Sequence, residues 1–76
     1  MTAMNRPSFA DYDDEDLVDT TVAAALTGRA RHTLENLRST GGGPRFRQAR
    51  RGGKVLYRIW DLKLWIADQD RGSTSR

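Results

Sequence analysis

The sequence predicts a small α+β domain built from a pair of short helices, a two-stranded hairpin and a last helix. Three observations carry that expectation. Apolar residues recur at helical spacing in three segments, glycines stand at the ends of the first two, and a cationic stretch between Arg45 and Ile59 alternates apolar with polar residues. The chain has 76 residues, enough for one domain with a modest core, since a chain of this size buries only about 60% of its unfolded surface.

The stretch "DTTVAAALTG" (Asp19–Gly28) offers Asp19 or Thr20 as an N-cap, a compact Ala/Val/Leu face, and Gly28 as the stop. "RARHTLENLRSTGG" (Arg29–Gly42) sets Ala30, Leu34 and Leu37 on one face at helical spacing and ends at Gly41. Two or three residues around Gly28 join these helices, which is the connection of a helix-turn-helix. Gly41 to Gly43 then permit a sharp reversal, and Pro44 cannot continue a helix.

"RFRQA" and "KVLYRI" read as two strands, with Phe46, Val55 and Tyr57 sharing an inward face. Between them "RRGG" forms the hairpin loop, with Gly52 and Gly53 both expected at positive φ. A helix pair followed by such a ribbon describes a winged helix-turn-helix. The last helix, Asp61–Asp70, carries Asp61 at its N-terminus and turns Leu62, Trp65 and Ile66 back onto the first two. Residues 1–16 read as an acidic, flexible arm with Phe9 and Tyr12 able to dock, residues 17–70 as the folded domain, and residues 71–76 as a disordered tail.

Composition narrows the function. The chain has no cysteine and a single histidine, His32, so thiolate metal sites, disulfides and a histidine relay are excluded. No enzymatic activity, cofactor or small-molecule ligand is expected. The longest apolar run is the five residues of "VAAAL", far short of a membrane span, and a cytoplasmic protein without membrane partners is expected. "TGGGP" and "RGGK" lack the spacing and strand-to-helix context of a phosphate-binding loop.

The formal charge of +3 conceals a segregation. Residues 1–19 hold one arginine against six acids, a net −5, whereas residues 28–58 hold eight arginines and Lys54 against Glu35 alone, a net +8. A basic body of this kind points to a polyanion.

The sequence resembles the small winged helix-turn-helix proteins of the excisionase and AlpA type, related to the DNA-binding domain of MerR regulators. "TTVAAALTG" (Thr20–Gly28), "TLENLRSTGGGPRF" (Thr33–Phe46) and "GKVLYRIWDLKLWI" (Gly53–Ile66) carry the resemblance, which covers roughly residues 17–68. Its specificity lies in the order of features: helix pair, Gly-Pro-aromatic turn, basic hairpin, Tyr-Arg, then Asp-Leu-x-x-Trp-Ile. Two positions depart from the family pattern. Ala30 stands where a capping serine is usual, and Trp60 where a polar cap precedes the final Asp-Leu.

With Ala30, Leu34 and Leu37 inward, His32, Glu35, Asn36 and Ser39 face outward, flanked by Arg31 and Arg38. Asparagine bonds an adenine edge and arginine a guanine edge in the major groove. Arg31, His32 and Asn36 are therefore assigned to bases, Arg38 to phosphate, and Thr33 to phosphate or a thymine methyl. The competing reading is a solvated polar face. Arg50 and Arg51 at the hairpin tip suit a narrow minor groove, while Arg45, Arg47, Lys54 and Arg58 line the strands toward phosphates. The competing reading there is charge that protects strand edges. Trp60 and Leu64 fall off the predicted face of the last helix and Leu56 off that of the strand; with Ile59 they are expected to form an exposed apolar patch for contact with neighbouring copies on DNA.

The function implied by the resemblance is that of an excisionase, a recombination directionality factor that binds and bends attachment-site duplex DNA to steer a site-specific integrase toward excision. A small AlpA-type transcriptional regulator is the alternative. A basic module binding an acidic protein or RNA is the alternative of another class.

Overall fold

The first strand, β1 (Leu17–Asp19), runs without a linker into α1 (Thr20–Thr27). Gly28 ends α1 at φ 73°, a left-handed conformation that favours glycine, and α2 (Arg31–Thr40) begins three residues later. A hairpin follows, formed by β2 (Arg47–Gln48) and β3 (Val55–Arg58), and α3 (Ile59–Thr74) continues directly from β3. The computed structural model describes residues 7–74. Its described residues form a small α+β fold in which three α-helices pack with one antiparallel sheet of order β1-β3-β2.

Asp19 rather than Thr20 is the N-cap of α1, its Oδ1 accepting from the Val22 N–H at 2.9 Å. Ala30 at the N-cap of α2 offers no side-chain acceptor and is exposed, so it does not join Leu34 and Leu37 on the inner face as expected. In the hairpin, Arg47 opposes Leu56 and Gln48 opposes Val55. The Gly53 N–H donates to the Arg50 carbonyl at 2.8 Å and closes the tip. Only Gly52 carries positive φ, at 79°, as the third residue of a type II turn requires; Gly53 does not.

Val18 and Tyr57 are directly paired and both buried, which turns one face of the sheet into the core. Ala23, Ala24, Leu34, Ile59, Leu62 and Trp65 complete that core. Phe46 was expected on the inward face but leaves 41% of its surface exposed, touching the core through its ring, 6.4 Å from that of Tyr57.

Three findings correct the expected boundaries. β1 is a third strand not foreseen from the sequence. The last helix starts at Ile59 rather than Asp61 and runs through Thr74, so residues 71–74 of the predicted tail are helical, while 75–76 lie outside the described residues. Residues 7–16 of the predicted arm pack on the body. Phe9–Asp11 form a 3-10 turn, and Phe9 and Tyr12 lie against the core. Residues 1–6 lie outside the described residues.

Candidate nucleic-acid interface

Helix α2 presents two polar stripes, following from its 3.6-residue turn. Arg31, Glu35 and Arg38 face a polar cleft of about 310 Å³ whose other walls are the α1 N-terminus (Asp19, Thr20, Thr21) and the tip end of the hairpin (Gly53, Lys54). His32, Asn36 and Ser39 form the second stripe and are exposed, while Thr33 is half-buried between that stripe and Leu37. The structure therefore brings Arg31, Glu35 and Arg38 of the predicted reading helix to one concavity with Lys54 and leaves His32, Asn36 and Ser39 outside it.

Within the cleft, Arg31 Nε donates to Glu35 Oε2 at 3.1 Å, an exposed i,i+4 pair worth only a few tenths of a kcal/mol. Arg38 is engaged differently from its expected role. Its Nη1 donates to the Tyr57 hydroxyl at 3.1 Å and lies 3.5 Å from Thr20 Oγ1, and its guanidinium sits 5.8 Å from the Phe46 ring centroid.

Along the hairpin, Arg45, Arg47, Arg50, Arg51 and Lys54 are all exposed. Among the described residues, none of these five cations lies within ion-pairing distance of a carboxylate. Their fields add along this edge of the molecule, while the cleft beside Lys54 also holds the carboxylates of Asp19 and Glu35.

Arg58 does not join that group. It sits at the opposite end of β3 from the tip, with Nε and Nη2 both 3.3 Å from the two oxygens of Asp61 and Nη1 3.4 Å from Glu15. The two-point hydrogen bond to Asp61 raises the Arg58 pKa above its ordinary value.

The apolar patch is also smaller than expected. Trp60 and Leu64 are exposed at 41% and 49%, but Leu56 is half-buried and Ile59 is fully buried. Ile59 has the parity of Val55 and Tyr57 along the ribbon and opens α3 beside Leu62 and Trp65, so strand and helix geometry both turn it into the core.

Sequence reasoning missed Thr20 on the cleft wall and the bond from Arg38 to the buried Tyr57, which arise from packing between distant parts of the chain. The acidic segment likewise has a place that its composition did not reveal. Asp14 pairs with Lys63 at 2.8 Å and Glu15 with Arg58, so these carboxylates lie on α3 and the end of β3 rather than over the hairpin tip. Among the described residues no helix is long and apolar enough to cross a membrane. No protein-family model matches the chain, and no curated protein matches it.

Proposed function

We propose that the chain is a winged helix-turn-helix protein that binds duplex DNA and acts as an excisionase, directing a site-specific integrase toward excision. The single observation that carries the reading is that α2 and the tip end of the cationic hairpin wall one cleft, with Arg31 and Arg38 on one side and Lys54 on the other. In that arrangement α2 enters a major groove, which is wide enough to admit a helix, and the arginine tip reaches the neighbouring minor groove.

Roles then divide by position. Arg31, His32 and Asn36 face base edges, Arg50 and Arg51 enter the minor groove, and Arg45, Arg47 and Lys54 meet phosphates. The exposed Trp60 and Leu64 on α3 supply an apolar contact to a neighbouring copy bound alongside. Nothing in this scheme requires a catalytic group; bending and loading DNA is an architectural task.

The test is binding to duplex DNA from a randomised library, measured by anisotropy at two salt concentrations with RNA competitor. A selected sequence whose binding survives the competitor supports the reading. Equal binding to RNA and every duplex removes it. Footprinting then divides the roles: adjacent protected repeats beside an integrase attachment site fit an excisionase, and a single promoter operator fits a regulator.

A further inference from the structure

We propose that Arg38 is a positioning residue: it fixes the angle between α2 and the hairpin, and through that angle sets base discrimination, instead of contacting phosphate. The inference rests on the DNA-binding reading and deepens it.

The geometry is that of a clasp. Arg38 lies in the last turn of α2, yet its guanidinium meets Tyr57 of β3, Thr20 at the start of α1 and Phe46 on the approach to β2. One side chain thus spans the helix pair and both sides of the ribbon. Both oxygens it faces belong to buried residues, Tyr57 at 0% exposure and Thr20 at 7%. A buried phenol oxygen without a donor carries a desolvation penalty, so the bond is costly to break.

Arginine suits the position for a chemical reason. Its flat guanidinium lies over the Phe46 ring while an edge N–H reaches the Tyr57 hydroxyl, two contacts that a lysine ammonium does not make together. Phe46 also packs against Tyr57, which closes a three-residue unit of Arg38, Phe46 and Tyr57.

The backbone leaves this role open to a side chain. Helix α2 packs chiefly against α1, and the sheet is joined more closely to α1 and α3 than to α2. The angle between reading helix and ribbon therefore depends on side-chain ties: Leu34 shares the apolar core with Tyr57, and Arg38 adds a polar tie to the same residue. An apolar contact tolerates rotation, whereas a hydrogen bond does not. Positioning of this kind matters because a helix must hold its base-facing groups in register.

The test uses the full chain with Arg38→Met, Arg38→Lys, Tyr57→Phe and the Arg38→Met/Tyr57→Phe pair. The probes are a duplex selected by the wild-type chain from a randomised library and an unrelated duplex of equal length. Arg38→Met should lower the ratio of selected to unrelated affinity about five- to tenfold while leaving the slope of log K against log salt unchanged. Tyr57→Phe should reproduce that loss, and the double variant should add little. Arg38→Lys should fail to restore the ratio. A slope shallower by about 0.9 in Arg38→Met, with Tyr57→Phe silent, identifies a phosphate contact and overturns the proposal.

Amide residual dipolar couplings of the free protein keep the two readings separable. A changed α2-to-hairpin orientation in both Arg38→Met and Tyr57→Phe supports the positioning role even if no duplex is bound, in which case DNA binding alone has failed. An unchanged orientation overturns the positioning role whatever the DNA result.

Discussion

The backbone N–H of Trp60 donates to the carbonyl of Asp14 at 2.9 Å, and beside it the Ile59 N–H donates to Asp16 at the same distance. The first N–H groups of a helix have no partner within the helix, and here the acidic segment supplies two acceptors. Its carboxylates also stand near the positive end of α3. Because α3 begins at Ile59, Trp60 is a helical residue and not a cap, and main chain of Asp14 and Asp16 takes the place of a side-chain cap. Deleting residues 1–16 should cost more than about 2 kcal/mol of folding free energy in urea titration, because both bonds and the Phe9 and Tyr12 contacts disappear. Neutralising the carboxylates alone (Asp14→Asn with Glu15→Gln) should cost under about 1 kcal/mol. A full-cost neutralised variant would locate the effect in the side chains instead.

Helix α2 begins without a side-chain cap, although Ala30 already has the extended backbone that a capping residue uses, φ −73° and ψ 150°. Ala30→Ser should therefore stabilise the protein by about 0.5–1 kcal/mol, read as a higher urea midpoint at constant slope. Asp19→Ala should do the reverse by about 1 kcal/mol, since Asp19 caps α1 through the Val22 N–H.

Salt dependence separates the cations by location. For wild type, log K for duplex binding should fall against log salt with a slope of about −4 to −5. Arg50→Ala and Arg51→Ala should each make the slope shallower by about 0.9. Arg58→Ala should leave it unchanged and lower stability, because its guanidinium is held by Asp61 and Glu15. A slope change in Arg58→Ala equal to that of the tip variants would place DNA at the wrong end of β3.

Trp60→Ala should weaken cooperative loading on a duplex with adjacent sites and leave single-site affinity within about twofold. Trp60 is 41% exposed and its hydrogen bond to Asp14 is through the backbone, so the folded state should lose little. Unchanged cooperativity in a well-folded variant would dismiss the neighbour contact.

The helices were legible because their signals are local. Asp19, Gly28 and Gly41 mark ends within the same segment, and Leu62, Trp65 and Ile66 repeat at helical spacing. The hairpin was legible from alternation and the Gly52 turn. Strand β1 was not, because three residues are too few to show a period and Val18 becomes a strand residue only through Tyr57, far along the chain. Ile59 was misplaced because the inward alternation of Val55 and Tyr57 was not carried on to it. The exposed stripe of His32, Asn36 and Ser39 followed from placing Leu34 and Leu37 inward. The engagement of Arg38 by Tyr57 did not, since a long arginine finds its acceptor in three dimensions and leaves no trace in spacing.

Arg58 closes β3 and Ile59 opens α3, with no residue left over to act as a joint. The twist of β3 at its last residue therefore dictates the azimuth at which α3 sets out, and with it the direction in which Trp60 and Leu64 stand to solvent.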